Sequence, residues 1–444
     1  MNIKADQQKD HLVSQFIRYV VLNIFGMMGI SFYILADTFF VAKGLGSDGL
    51  TALNLAIPIY SVVSGLGMMI GMGSGTRYSI LKGEQDNERG NHVFSLGVIF
   101  ALVLGIVAAL IGIFLSNPIS SLLGAKDHIH EMTGTYLKVI LIFAPFFMLN
   151  SVLICFVRND NNPKLAMLGM IVGSLANIVL DYVFIFPFNM GIFGAVLATG
   201  LSPIISIGIL SFHFIKGKAS FHFVKSKFKF AIIKDISALG APSFISELSS
   251  GIVIIVFNGI ILSIHGNLGV AAYAVVANVA LVVIAIFNGV AQGAQPLLST
   301  NYGQQKIERV KKVFHMGIGT VLVLFVIIYG ISFFYTDGIV AIFNSENNAE
   351  LAKLGVEGIR IYFTAFFFMS LNIIFSGYFS SCDAPAKAFS ISILRGFLVI
   401  IPVIFLLASL LQMQGVWMAL TVTEGIVFLV SLFFYIREKK SGNR

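Results

Sequence analysis

Long apolar segments follow one another along almost the whole chain, and they restrict the possible fold more than any other feature. Twelve of these segments are long enough for a helix of about 20 residues to cross the hydrocarbon core of a membrane. They lie near residues 14–41, 50–76, 92–115, 133–156, 164–187, 191–215, 239–264, 270–298, 313–335, 355–379, 386–410 and 415–436. The sequence therefore predicts an all-α membrane protein with twelve transmembrane helices.

The composition excludes several other classes of protein. Of 444 residues, 57% are hydrophobic and only 11% are charged, whereas a soluble domain has about 25% charged residues. Strands of a membrane barrel would alternate in polarity, which these segments do not. Cys155 and Cys382 lack the spacing of metal ligands or of a disulfide framework. The sequence has no GxxxxGKS/T, HExxH or GxSxG motif, so we expect neither an ATP-driven pump nor an enzyme, and no cofactor.

The basic residues indicate how the chain is oriented. Most lysines and arginines fall in loops on the same side as the N-terminus, and we call this the basic side. Few fall on the other side: Lys43, Lys126, Lys138, Lys353 and Arg360. Because loops rich in lysine and arginine stay in the cytoplasm, we predict a multi-pass protein of the cell membrane with both termini cytoplasmic. The net charge of +8 is explained by this placement and does not indicate binding to nucleic acid.

The two halves of the sequence resemble each other. Residues 82–94 read KGEQDNERGNHVF and residues 302–314 read YGQQKIERVKKVF, and further matches recur at nearly the same offset. This repetition indicates a duplicated unit of six helices. An even number of helices makes the two units parallel repeats, as in some secondary transporters. We predict a first lobe over 1–215, a basic cytoplasmic linker over 216–238 and a second lobe over 239–444.

Four acidic residues fall inside predicted spans, where a charge is costly and is usually functional. Asp37 and Asp181 lie in the first half, and counting residues from the helix ends puts both in the membrane half opposite the basic side. Asn177 lies one turn from Asp181, and Thr199 on the next helix lies at a similar depth. Carboxylate, amide and hydroxyl oxygens suit a hard cation, so these four residues predict a site for a proton or Na⁺.

The second half lacks equivalents of these acids. Glu247 and Arg395 lie at similar depths on two helices, which predicts a buried ion pair; the alternative is that Glu247 binds substrate or an ion. Glu424 lies in the middle of the last helix, and the sequence does not indicate its partner. These three residues are the candidates for a second-lobe polar site.

Three segments resemble the multidrug and toxic compound extrusion (MATE) family of prokaryotic transporters. They are LADTFFVAKGLGSDGLTALNLAIP at 35–58, NIVLDYVFIF at 177–186 and GIFGAVLATGLS at 191–202. The resemblance implies two six-helix bundles in a V-shaped arrangement around a central cavity. It implies export of lipophilic, often cationic compounds by a monomer, in exchange for H⁺ or Na⁺. The cation site of the family corresponds to Asp37, Asn177, Asp181 and Thr199.

The sequence departs from the pattern of the family in two places. Many relatives have a proline in the first helix where this chain has Leu22, so proline-assisted bending of that helix is not expected here. In the second lobe, Glu247 lies about one turn from the expected acid, and Asn372 replaces an acid on the tenth helix.

Two other functions compete with an ion-coupled exporter. A flippase for a lipid-linked precursor would share the architecture but would need a basic cavity, for which Arg395 is thin support. A channel would explain the duplication and the clustered polar residues of the first lobe less well than an ion-coupled exporter does.

Overall fold

The computed structural model describes residues 2–225, 229–344 and 348–441, and every regular element in these ranges is a helix. The first half contains α1 (Asn2–Gly83), α2 (Asn87–Leu122), α3 (Asp127–Ile142), α4 (Ala144–Asn159), α5 (Pro163–Ile185) and α6 (Gly191–Ile215). The second half contains α7 (Phe230–Gly303), α8 (Ile307–Phe334), α9 (Thr336–Phe343), α10 (Ala349–Tyr362), α11 (Ala365–Ser381), α12 (Pro385–Ile393), a π-helical turn (Leu394–Leu398) and α13 (Ile400–Ser441).

The described helices cross the membrane twelve times, as predicted, and we number the crossings as spans 1–12. Breaks at Gly46, Gly266 and Gln412 divide α1 into spans 1 and 2, divide α7 into spans 7 and 8, and separate span 11 from span 12. Helices α2, α5, α6 and α8 are spans 3, 5, 6 and 9. The bent pairs α3–α4 and α10–α11, with angles of 46° and 44°, are spans 4 and 10. Helix α9 has 8 residues and is too short to cross.

The backbone shows the duplication that the sequence predicts. Gly46 and Gly266 have φ angles of 66° and 60° and make the corresponding turns after spans 1 and 7. Glycine suits both positions because its missing Cβ permits positive φ. Gln85 and Gln305, in the matched sequence segments, also share positive φ angles of 64° and 58°. The bends in spans 4 and 10 complete a set of irregularities at equivalent places.

Each half of the chain builds its own hydrophobic core, so that spans 1–6 form the first lobe and spans 7–12 the second. The first helices of the lobes cross over on the basic side. Leu12, Phe16 and Val20, at the start of span 1, pack into the core of the second lobe, and Ile236, at the start of span 7, packs into the core of the first. This exchange joins the lobes at their basic ends.

Glycines bring the two lobes into close contact between the middle of the membrane and the basic side. A Cβ atom added to Gly73 would lie 1.9 Å from the carbonyl oxygen of Ile236, so spans 2 and 7 touch backbone to backbone. Beside this contact, Nη2 of Arg77 in span 2 donates to Oδ1 of Asp235 at 2.6 Å and to Oδ1 of Asp383 at 2.8 Å. Both acids belong to the second lobe, so Arg77 clamps the lobes together.

The beginning of the linker docks on the first lobe. Phe221 is buried in a cluster of aromatic rings, and the backbone N–H of Ser220 donates to Oδ2 of Asp160 at 2.7 Å. Burial alone would raise the pKa of Asp160, but hydrogen bonds from His213, Lys82 and Ser220 hold it well below its usual range. The charged carboxylate of Asp160 therefore anchors this part of the linker.

The helices extend beyond the predicted apolar segments because a helix continues past the hydrocarbon core once it has formed. Helix α7 begins at Phe230, inside the predicted linker, and α2 ends at Leu122 rather than near residue 115. Lys227 of the linker, Met1 and the last residues of the predicted second lobe, 442–444, lie outside the described residues.

Candidate functional site

Spans 1 and 5 lie side by side and bring Asp37 next to Asp181. A Cβ atom on Gly26 would lie 2.8 Å from Sδ of Met170, so the two helices approach closely at that level. Asp37 lies about three turns after Gly26, and Asp181 about three turns after Met170. Because both helices run in the same direction, equal spacing from a shared contact puts the two carboxyl groups at the same depth and on facing sides.

Spans 5 and 6 pack through small residues and add Asn177 and Thr199 to the group. Oγ of Ser202 donates to the carbonyl oxygen of Gly173 at 2.8 Å. One turn along, the amide of Asn177 faces both neighbours: Nδ2 donates to Oδ2 of Asp181 at 3.1 Å and Oδ1 accepts from the N–H of Thr199 at 3.3 Å. The structure thus brings together all four residues that the sequence grouped by depth.

The two carboxyl groups are buried and lie close enough for their charges to interact. Asp37 is 8% exposed and Asp181 is fully buried. Among the described residues, neither forms an ion pair, and the Oδ1 atoms of both lack a hydrogen-bond partner. Two adjacent carboxylates cannot both stay charged in a dry site without a compensating cation. The arrangement can therefore hold a proton or take a cation between its oxygens.

Three tyrosines around these acids were not predicted. The hydroxyl groups of Tyr33 and Tyr60 lie 3.2 Å apart, and Tyr33, Tyr60 and Tyr136 all lie close enough to Asp37 to interact with its charge. Tyr33 precedes Asp37 by one turn on the same helix face, a signal that sequence reasoning can use. Tyr60 and Tyr136 come from other spans, and their positions depend on how the helices pack.

The second lobe contains a buried ion pair, but its members differ from the prediction. Nη2 of Arg395 donates to Oε1 of Glu424 at 2.8 Å, so Arg395 pairs with Glu424 and not with Glu247. Nδ2 of Asn372 donates to the other carboxylate oxygen of Glu424 at 2.8 Å, and Oγ of Ser431 donates to Oδ1 of Asn372 at 2.9 Å. The π-helical turn at Leu394–Leu398 contains Arg395 and changes the direction in which this part of span 11 faces.

Glu247 lies between the lobes and forms no ion pair with Arg395. Oγ of Ser64, in span 2 of the first lobe, donates to Oε1 of Glu247 at 3.2 Å. The neighbouring contact brings the ring of Phe244 against Gly65, where a Cβ atom would lie 2.9 Å from the ring. Glu247 is therefore an acidic group at the level where the lobes meet, with a neutral partner across the boundary.

A family model decides the classification. The MatE family model matches residues 23–183 and 242–406, which are corresponding parts of the two halves. The chain belongs to the MATE family. Its members are transporters and not enzymes, and a twelve-span fold of two bundles agrees with this membership.

Similar proteins cover almost the whole chain. The multidrug export protein MepA of Staphylococcus saprophyticus is 27% identical over 427 residues, which are 96% of this chain and 94% of that protein. The solved structure of a MATE transporter in complex with MaL6 matches with a TM-score of 0.92 at 22% identity, over 97% of each chain. An outward-facing multidrug resistance MATE transporter matches with a TM-score of 0.90 at 23% identity, over 97% of this chain and 96% of that one.

The polar atoms that Asp37, Asp181 and Thr199 offer to a ligand are oxygens. The described residues contain no group of three or more histidine, cysteine, aspartate or glutamate side chains that would hold a metal ion. The oxygens of Asp37, Asp181, Asn177 and Thr199 suit a transported hard cation or a proton better than a resident transition metal.

Span 1 has no break at Leu22, the position where many relatives have a proline. Its backbone is helical up to Gly46.

Proposed function

We propose that this protein is a secondary antiporter that exports lipophilic, often cationic compounds in exchange for H⁺ or Na⁺. The observation that carries the proposal is the buried pair Asp37 and Asp181, which has no basic partner among the described residues. Structural acids inside membranes are usually neutralised by a partner, whereas a site that loads and unloads a cation has to lack a permanent one. MepA, a multidrug export protein, supports the same substrate class.

The position of the lobe contacts supports an alternating-access mechanism. The lobes touch on the basic side through Gly73 and Arg77, which closes the boundary between them on that side. With the predicted orientation, the closed side is the cytoplasmic one. Cation binding to Asp37 and Asp181 drives the cycle only if the cation binds one access state better than the other, because equal affinity shifts no equilibrium.

We propose that Glu247 binds the cationic substrate. It lies between the lobes, and the donor that it has among the described residues is the neutral hydroxyl of Ser64. A cationic compound bound between the lobes supplies the positive counter-charge that Glu247 lacks. Nearby aromatic side chains, such as Phe244, offer apolar contact to compounds of varied shape. Ion and substrate would therefore bind in different places, which allows one to be released while the other is held.

The geometry does not favour the alternative of a flippase for a lipid-linked precursor. Such a substrate carries a pyrophosphate and needs basic groups in the cleft. Arg395, the base that the sequence offered for this role, is already neutralised by Glu424. An exporter therefore agrees better than a flippase with the charges of Glu247, Arg395 and Glu424.

Efflux from proteoliposomes tests the proposal. Purified protein is reconstituted with a fluorescent cationic dye such as ethidium, and a pH gradient or a Na⁺ gradient is imposed while the other ion is equal on both sides. We expect one gradient to drive dye transport in the native protein and neither to do so in the variants Asp37→Asn and Asp181→Asn. Transport by both variants at the native rate would contradict the proposal, and transport that ignores both gradients would contradict antiport.

A further inference from the structure

Span 8 of the second lobe packs backbone to backbone on span 1 of the first lobe, and we call this contact the lobe seam. A Cβ atom added to Gly289 would lie 2.7 Å from Cα of Ile24, and one added to Gly293 would lie 2.7 Å from Cα of Val20. Beside these glycines, Nδ2 of the buried Asn23 donates to the carbonyl oxygen of Gly289 at 3.1 Å. Helices that approach this closely leave no room for water between them.

Arg158, in the last turn of α4, reaches the lobe seam from the first lobe. Its Nη1 donates to Oδ1 of Asn23 at 3.1 Å and to Oε1 of Gln292, in span 8, at 3.1 Å. Arg158 is 1% exposed, and its other neighbours are the sulfur atoms of Met72 and Cys155, at 3.3 and 3.6 Å from Nη2. The guanidinium group therefore contacts both lobes, and it does so through neutral acceptors.

No acid balances the charge of Arg158 within the part of the chain that the structure describes. Arg158 forms no ion pair there, and its Nε lacks a hydrogen-bond partner. The nearest acid in the sequence, Asp160, accepts hydrogen bonds from Lys82 and Ser220 instead. Arginine stays protonated in proteins, and a buried charge without an opposite one is costly. The closed lobe seam therefore carries a free-energy cost that water would relieve.

We propose that Arg158 opposes closure of the lobes on the basic side and so sets the balance between the two access states. Arg77 pairs with Asp235 and Asp383 of the second lobe and favours closure. Arg158 acts in the other direction, because separation of spans 1 and 8 lets water reach its guanidinium group. An exporter has to open on both sides in each cycle, and this opposition prevents the closed state from becoming a trap. The role in the cycle rests on the proposed function, but the effect on closure does not.

Spin labels on the basic side measure closure in the full-length protein in detergent. Glu88→Cys and Glu308→Cys place one label on each lobe, at exposed and corresponding positions in the first turns of α2 and α8. Double electron–electron resonance gives the populations of short and long distances between the labels. Arg77→Gln weakens the contact between the lobes and should raise the long-distance population. Adding Arg158→Gln should lower the ratio of long to short distances at least about tenfold, because no buried charge then opposes closure.

The matched control is Arg158→Lys, which loses the shape of the guanidinium group but keeps the charge. In combination with Arg77→Gln, it should be as open as Arg77→Gln alone. The chain without the added cysteines should take up no label, because Cys155 and Cys382 are buried. If Arg158→Gln opens the basic side further, Arg158 holds the lobes together through Gln292 and the proposal is overturned. Equal populations with glutamine and with lysine would overturn it as well.

Thermal unfolding gives a second measurement that does not depend on Arg77. In the otherwise native chain, Arg158→Gln should unfold at a higher temperature than Arg158→Lys, because only the lysine variant buries a charge. Equal or reversed unfolding temperatures would contradict the proposal even if Arg77→Gln does not open the basic side. Neither measurement requires transport or a coupling ion, so this inference and the proposed function can fail separately.

Discussion

The two lobes come from one duplicated unit, yet they treat buried acids in opposite ways. In the first lobe, Asp37 and Asp181 lie next to each other without a basic partner among the described residues. In the second lobe, Glu424 is held by Arg395 and Asn372. The same six-helix scaffold therefore supports either an acid pair that lacks a counter-charge or an acid whose counter-charge is part of the chain.

This difference has an energetic meaning. A buried ion pair is stable only while both members remain, since removing one partner leaves an uncompensated charge. The charge of an acid pair without a basic partner is balanced only by a bound proton or metal cation. The fraction of sites that hold the cation therefore depends on its concentration. We infer that the second lobe uses its ion pair for structure and that the first lobe exchanges its cation during transport.

The sharpest test neutralises one carboxyl group in each lobe. Asp37→Asn and Glu424→Gln remove the same charge with little change in shape. We expect Asp37→Asn to reduce ion-driven dye efflux by about a hundredfold, near the upper end of typical coupling between sites. Glu424→Gln should keep transport coupled to the same ion, with a lower yield of folded protein. Rates in proteoliposomes, divided by the amount of reconstituted protein, measure both.

The opposite result would remove the distinction between the lobes. If Glu424→Gln loses ion dependence while Asp37→Asn keeps it, the coupling site is in the second lobe. A matched variant, Asp48→Asn, serves as the control, because it neutralises an exposed acid at the start of span 2 that belongs to neither site. It should transport at the native rate.

Arg395 should be important for stability. Arg395→Met leaves Glu424 buried without its basic partner, and we expect a loss of about 3–5 kcal/mol in the free energy of unfolding. The double variant Arg395→Met/Glu424→Gln should regain most of this loss, because no buried charge is left. Thermal unfolding of the purified proteins in one detergent measures both changes. A single variant as stable as the native protein would show that the ion pair is not structural.

The part of this picture that the sequence predicts depends on distances along helices. Span number and the common depth of Asp37, Asn177, Asp181 and Thr199 follow from the fixed rise of a helix and the alternation of its direction. The duplication follows from sequence matches at a nearly constant offset. Contacts across helices at one depth also require the rotation of each helix. The pairing of Arg395 with Glu424 was missed for that reason, since depth alone allowed Glu247 as well.

Local backbone features decide those rotations, and the sequence shows them poorly. A π-helical turn around Arg395 adds a residue to one turn and redirects the side chains that follow. The close approach of Gly26 to Met170 sets how spans 1 and 5 face each other, but many other glycines in this chain have no such role. The docking of Phe221 was likewise not predicted, because a single aromatic residue in a basic linker gives no periodic signal.

The variant with the smallest expected change in stability gives the clearest contrast between the two lobes. Asp181→Asn removes a carboxyl group as Glu424→Gln does, but no ion pair is broken, and the new amide can donate to Asp37. We therefore expect the free energy of unfolding to change by less than about 1 kcal/mol, and stabilisation by the coupling ion to disappear. Thermal unfolding in NaCl and in choline chloride, each at several pH values, measures this with Asp48→Asn as the control. A loss as large as that of Arg395→Met would mean that Asp181 is held by a permanent partner, and the contrast between the lobes would then fail.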